Sequence, residues 1–102
     1  MKIDWTEPAI SDLQAIYDYI AKEAEYYANR FIERIFEAVE KLGDFPKMGR
    51  FVPETEQEDI RELLFHDYRI IYRVEKERVL ILAVVHGSRD LFRREPKPWD
   101  IG

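Results

Sequence analysis

The sequence predicts an α+β domain: an N-terminal strand, then an antiparallel two-helix hairpin packed on one face of a small antiparallel β-sheet, in the order β-α-α-β-β-β. Three observations predict it. The runs Ile60–Phe65, Tyr68–Val74 and Val79–Val85 are dominated by Ile, Val, Leu, Tyr and Phe, residues suited to a pleated, half-buried surface. Only His66-Asp67 and Lys76-Glu77 separate them, and connections so short join antiparallel neighbours and cannot carry a parallel crossover. Upstream lie two apolar stripes at helical spacing, each needing a surface to cover.

In chain order, Lys2–Trp5 is a short strand with Ile3 and Trp5 alternating inward. Thr6 is the expected N-cap of the first helix, with Glu7 and Pro8 in its opening turn, where a missing N–H does no harm. Leu13, Ile16, Tyr17 and Ile20 form its stripe, Asp12, Gln14, Asp18 and Lys22 lie off it, and the helix is expected to run to about Glu23. Ala24-Glu25-Tyr26-Tyr27 then connects to a second helix carrying Ala28, Phe31, Ile32, Ile35, Phe36, Val39 and Leu42, with Gly43 as its stop. From Asp44 to Glu58, two prolines and a glycine predict an ordered loop, with Phe45, Met48 and Phe51 as candidate anchors. After Asp90 a turn at Leu91–Arg94 gives way to Pro96 and Pro98, leaving Trp99 as an anchor or a loose end.

The sheet faces follow if Lys76-Glu77 is a two-residue turn that sets Glu75 opposite Arg78. One face then collects Tyr68, Ile70, Tyr72, Val74, Val79, Ile81, Ala83 and Val85, an unbroken apolar surface expected to meet the helices. The other collects Arg69, Ile71, Arg73, Leu80, Leu82, Val84 and His86, too apolar for bare solvent and too charged for a core. A partner or the chain's own tail is expected to cover it. Neither turn is of the Asn-Gly type, so a one-residue slip would exchange the faces.

With 102 residues the chain is expected to form one domain, its core spanning about 2–90 and its tail 91–102. Hydrophobic content of 46% excludes a disordered chain, and the absence of cysteine excludes disulfides and thiolate chemistry. No apolar run approaches the ~20 residues that span a bilayer, and Met1–Trp5 lacks a signal-peptide pattern, so a cytoplasmic location is expected. Residues 1–59 hold 7 Lys and Arg against 14 Asp and Glu, whereas 60–102 hold 9 against 7. With a net charge of −5, strong nonspecific nucleic-acid binding is not expected, although a small basic site is compatible with it.

No Gly-rich phosphate loop, metal-spaced histidine pair or nucleophile elbow occurs, so no metal or cofactor is expected. His66, beside Asp67, reads as a solvated turn residue; His86 ends a strand on the charged face, and a single histidine there is more often structural than catalytic. Glu54, Glu56, Glu58 and Asp59 read as a solvated run. Arg69, Arg73 and Arg89 admit two readings: salt bridges to Glu62, Glu75 or Asp90, or a cationic cluster suited to phosphate or to acidic protein groups.

The Pro46-Lys-Met-Gly-Arg50 loop, Ile60-Arg-Glu-Leu63, Tyr68-Arg-Ile-Ile-Tyr-Arg-Val74 and Val85-His-Gly-Ser-Arg-Asp90, in this order after the strand and hairpin, resemble the RelE/ParE toxin superfamily. The resemblance covers Trp5 to Asp90 and is strongest at Tyr68–Val74 and His86–Asp90. It implies the toxin of a type II toxin–antitoxin pair, neutralised by a cognate antitoxin that brings acidic side chains to Arg69, Arg73 and Arg89. RelE-like members cut messenger RNA in the ribosome, using the RNA's 2′-hydroxyl as nucleophile, with Lys and Arg stabilising the phosphorane and a Tyr or His moving protons. ParE-like members poison DNA gyrase by binding it.

On the nuclease reading the catalytic residues implied are Arg69, His86 and Arg89, with Arg61 where that branch carries a lysine. No tyrosine follows Tyr72, so the C-terminal catalytic tyrosine is missing, and Val85–Asp90 looks more like the ParE branch. The resemblance thus favours a gyrase inhibitor, with a ribosome-dependent endoribonuclease second and a non-toxic antitoxin-binding module third. The expected toxic or partner-binding face comprises Arg69, Arg73, His86, Arg89 and Leu82.

Overall fold

The structure, a computed structural model, describes residues 1–100. Its elements are β1 (Lys2–Trp5), α1 (Glu7–Ala21), α2 (Glu25–Glu40), β2 (Arg50–Phe51), β3 (Ile60–Phe65), β4 (Tyr68–Val74) and β5 (Arg78–His86), with short 3-10 turns at Lys41–Gly43 and Pro98–Asp100. The five strands form one sheet in the order β1-β5-β4-β3-β2. The β2 to β5 portion is antiparallel, but β1 joins β5 in parallel, Ile3 opposite Val79 and Trp5 opposite Ile81, so the sheet is mixed. The α1–α2 hairpin together with β2, β3 and β4 forms the long connection between the parallel partners β1 and β5. No helix among the described residues is long and apolar enough to cross a membrane.

Thr6 caps α1 as its sequence position predicts, accepting the Ala9 N–H at 3.2 Å. The helix stops at Ala21, two residues before the expected Glu23, and α2 begins at Glu25, so the connection is Lys22–Ala24 and Tyr26 and Tyr27 lie inside α2. Ala9, Leu13 and Ile16 of α1 and Ile35 and Val39 of α2 pack on Ile70, Tyr72, Val79, Ile81 and Val84 of the sheet. Each large aliphatic side chain buried there contributes about 1.5–3 kcal/mol relative to exposure.

Val84 on that surface is a departure from strict alternation. Ile71 pairs with Ala83 but Tyr72 pairs with Ile81, so β5 carries one extra residue, Leu82, at a β-bulge. Before the bulge the expected faces hold. Beyond it they exchange: Ala83 and Val85, expected under the helices, lie on the reverse face, and Val84 joins the helix-side core. His86, expected on the reverse face, sets its ring against helix-side Tyr68, 5.4 Å between centroids.

The reverse face is covered by the chain itself, with Ile71, Leu80, Leu82, Ala83 and Val85 under Val52, Leu91 and Trp99. Trp99 is therefore an anchor; positions 101 and 102 of the tail lie outside the described residues. The turns behave as their lengths require. Glu75 N donates to Arg78 O across Lys76-Glu77, and His66 takes a φ of 53°, a left-handed conformation that histidine tolerates better than most residues.

The 44–59 segment contains a two-residue strand, β2, that its sequence does not announce. Phe45, Met48 and Phe51 do not pin it, being 65%, 44% and 53% exposed. It is held instead by Val52, buried on the reverse face, and by polar contacts from the sheet. The Tyr72 hydroxyl accepts the Gly49 N–H at 3.0 Å and donates to Pro46 O at 2.8 Å, and an Arg61 guanidinium nitrogen donates to Gly49 O at 2.8 Å. A Cβ on Gly49 would lie 2.5 Å from that hydroxyl and 2.6 Å from Glu62 O, distances no side chain tolerates. Tyr72→Phe removes both hydroxyl bonds inside a buried site and is expected to cost about 1–3 kcal/mol. The expected signature in urea unfolding is a lower midpoint at unchanged slope. Gly49→Ala is expected to destabilise as well, by about 1–3 kcal/mol from overpacking.

Candidate functional site

β1 ends at Trp5, and β5 runs on past it without a strand on that side. The start of α1 supplies the missing partners. Thr6 N donates to Ile81 O at 3.0 Å, Thr6 Oγ1 to Leu82 O at 3.2 Å, and the Val84 N–H donates to the Asp12 carboxylate at 2.9 Å. Where α1 and the ends of β4 and β5 diverge, a cleft of about 520 Å³ opens, lined among others by Asp12, Ile16, Tyr19, Tyr68, His86 and Arg89.

The polar groups of this cleft come from separate elements. Burial pushes the Asp12 carboxyl up, while the Val84 N–H and the positive charges of Arg94 and Arg89 draw it down. The Tyr68 phenol is also pushed up, first by burial and then by neighbouring Tyr19 and Asp67. His86 Nδ1 accepts the Ser88 N–H at 3.2 Å and lies 2.7 Å from Ser88 Oγ, so the neutral ring carries its proton on Nε2. Nε2 itself has no partner among the described residues. Nor does the Arg89 side chain, which makes no hydrogen bond or ion pair among them.

The other expected site residues lie elsewhere. Arg69 is on the reverse face, 7% exposed, and each of its three guanidinium nitrogens donates to a carboxylate. Nε donates to Glu62 at 2.6 Å, and its two terminal nitrogens donate to the two oxygens of Glu54 at 2.8 and 2.6 Å. The second Glu62 oxygen accepts from Arg50 Nε at 2.6 Å. Glu54, expected in a solvated run, is thus half of a buried ion pair, and the bland reading of Arg69 against Glu62 is the one the geometry displays. Arg73 donates to Trp99 O at 2.7 Å and lies near Asp59 and Glu75. Leu82, expected on an open face, is fully buried under the tail. Arg61 is committed to the 46–50 loop, its guanidinium 4.3 Å from the Phe51 ring centre. The structure therefore brings His86 and Arg89 together and leaves Arg61, Arg69, Arg73 and Leu82 outside their cleft.

Asp12, Tyr19 and Tyr68 belong to the cleft and were not singled out from sequence. A signal exists: Asp12, Ala15, Ile16 and Tyr19 fall at i, i+3, i+4 and i+7, one face of α1 beside the core stripe. Tyr68 and His86 are directly paired across β4 and β5.

Comparison with known proteins now identifies the chain. A family model described as the ParE toxin of the type II toxin–antitoxin system, parDE, matches residues 3–91. The chain belongs to the ParE toxin family. Toxin RelE2 of Caulobacter vibrioides is 34% identical over 89 residues, 86% of this chain and 97% of that protein. The chromosomal ParDE toxin–antitoxin system of P. aeruginosa contains a chain with TM-score 0.71 and 28% identity, covering 84% of this chain and 95% of that one. The RelBE2 toxin–antitoxin complex of Mycobacterium tuberculosis shares the fold, with TM-score 0.62, 24% identity and coverage of 83% and 95%. This ParE-family chain is accordingly a type II toxin of the wider RelE/ParE superfamily, two helices packed on a mixed five-stranded sheet.

Removing Arg69 from this toxin strands buried charge. Arg69→Met is expected to cost about 3–5 kcal/mol at neutral pH, because Glu54 loses its partner and Glu62 keeps only Arg50. The Arg69 hydrogen bonds hold Glu54 below its usual 4.5, so the stabilisation they carry is fully present above 4.5 and is lost as pH falls through the depressed folded value. The stability gap between wild type and Arg69→Met, measured by urea unfolding across pH, should therefore narrow as pH falls below 4.5.

Proposed function

We propose that this toxin acts in the ParE manner, inhibiting DNA gyrase by binding it, and that a cognate antitoxin neutralises it in the cytoplasm. The observation that supports this reading is the double carboxylate clamp on Arg69. A guanidinium held by two buried carboxylates on the reverse face is neutralised there and stands apart from His86 and Arg89, so it does not join them in stabilising a phosphorane. Arg61 is likewise engaged with main-chain carbonyls of the 46–50 loop. Together these leave the sheet without the cationic constellation that ribosome-dependent RNA cleavage calls for, whereas a binding surface needs none.

A ribosome-dependent endoribonuclease is the second reading, favoured by the shared cleft of His86, Arg89 and Tyr68. There a free imidazole Nε2 and an unpaired guanidinium are the groups that proton transfer and charge stabilisation use.

Induced expression without a partner is expected to arrest growth, to trigger DNA-damage signalling and to leave messenger RNA uncut; the purified protein is expected to block supercoiling by gyrase. Sharp primer-extension stops at the second or third position of ribosomal A-site codons would overturn the gyrase reading in favour of the nuclease one. Arg89→Ala is expected to lower toxicity with little change in thermal stability, since its side chain makes no hydrogen bond or ion pair among the described residues. Full toxicity in a folded Arg89→Ala protein would remove the cleft from the toxic mechanism.

A further inference from the structure

The segment between α2 and β3 is fixed in place and yet turns apolar side chains to water. Phe45 N donates to Lys41 O at 2.9 Å and Met48 N to Phe45 O at 3.1 Å, closing a turn around Pro46-Lys47. The Tyr72 hydroxyl holds the main chain at Pro46 and Gly49, and Arg61 donates to Lys47 O at 3.2 Å and to Gly49 O at 2.8 Å. Phe51 pairs with Arg61 in the β2–β3 register. On this frame Phe45, Met48 and Phe51 are all exposed. Single exposed apolar side chains are ordinary, but three within 45–51 make a patch. Its parts adjoin: the guanidinium that faces the Phe51 ring also holds the carbonyls on either side of Met48. Main-chain bonds have already ordered this loop, so a partner that covers it meets little ordering cost.

The charges beside the patch select its occupant. Arg50 and Arg69 are cancelled by Glu54 and Glu62. Arg61 is bonded to carbonyls and a ring, so no carboxylate neutralises it, and the exposed Lys47 ammonium makes no hydrogen bond or ion pair among the described residues. Asp44 is the one acid between 44 and 51. A chain of net charge −5 is thus locally positive where it is most apolar. A second copy docking through the same patch would set like charges together. A polyanion needs a wider positive field than two cations supply. The match is a protein surface with an apolar centre and a carboxylate at its border, the composition of a binding hot spot and its rim.

We propose that the 45–51 patch is a surface by which the toxin holds its protein target, Phe45, Met48 and Phe51 making the apolar contact and Lys47, with the charge of Arg61 behind it, receiving a carboxylate of the target. This rests on the gyrase-binding reading and deepens it by naming the contact. The Tyr72 and Arg61 bonds to the loop then serve recognition as well as folding, because they fix the spacing of the three apolar side chains.

The test is the affinity of the full-length toxin for immobilised DNA gyrase and, separately, for the small protein encoded beside it. The chains compared are wild type, one carrying both Phe45→Ser and Met48→Ser, Lys47→Glu and, as an exposed aromatic away from the patch, Tyr26→Ser. Folding of each is checked by circular dichroism. The double variant is expected to weaken gyrase binding at least tenfold, Lys47→Glu severalfold, and Tyr26→Ser to leave it within about twofold. Wild-type gyrase affinity in the folded double variant would overturn the proposal while leaving the gyrase reading intact. A folded wild-type toxin that does not bind gyrase would overturn that reading and the proposal with it. Loss of binding to the neighbouring protein, or of self-association in sedimentation, with gyrase affinity kept would also overturn the proposal and assign the patch to the antitoxin or to a second copy.

Discussion

A single extra residue in β5 decides which chemistry this protein presents. Leu82 is accommodated by a bulge, so two consecutive side chains, Leu82 and Ala83, enter the reverse-face core and the alternation restarts out of phase. Without it Val84 and His86 would point away from the helices, and Val85 would face α1. With it, Val84 helps to floor the cleft and His86 meets Tyr68 at its mouth. The bulge lies just past the end of β1, where Thr6 and Asp12 have to complete the hydrogen bonding of β5 from a helix. Its position and the α1 contacts belong together: an irregular strand edge is tolerable because side chains of the neighbouring helix can reach it.

The reverse face shows how charge can be placed in a sheet without serving recognition. Arg69 sits near the start of β4, and burial there would be prohibitive if it were unpaired. Glu62 reaches it from β3 and Glu54 from the loop after β2, while Arg50 balances the second oxygen of Glu62. The result is a two-arginine, two-glutamate cluster that ties the 44–59 segment to the sheet. Its worth is specificity of loop placement more than net stability, since apolar residues of equal volume would often be as stable. Beside it Leu91 and Trp99 complete a second apolar layer, so the sheet is covered on both sides by one short chain.

Much of this was legible in the sequence. Strand limits, the Thr6 cap, the hairpin and the two-residue turn at Lys76-Glu77 follow from period and turn length, which are local properties. The parallel seat of β1 is not local: Ile3 and Trp5 indicate a strand, but nothing in four residues states which edge it joins. The bulge left no mark either, because Leu82-Ala83 reads as ordinary strand, with no glycine to signal a kink. That silence misassigned Ala83, Val84, Val85 and His86, and so placed His86 with Arg69 when the fold sets them on opposite faces. The Glu54 partner of Arg69 was hidden for another reason. Fifteen residues separate them, and an acidic run in a proline-containing loop has the composition of a solvated segment until the loop is seen to fold back.

What remains exposed and cationic is consequently dispersed. Most arginines of the sheet half are committed to carboxylates or main-chain carbonyls, and the helical half is acidic, so the molecule has no broad positive field with which to attract a polyanion. Exposed cations such as Arg34, Lys41, Lys47 and Lys76 are scattered over the surface, whereas Arg89 lies in the cleft, where an apolar floor and three aromatic rings adjoin it. A site of that kind discriminates by fit at short range, because at physiological ionic strength the reach of one or two charges fades within about 8 Å. Contact with the apolar floor and the rings, more than charge, therefore decides what such a cleft can hold.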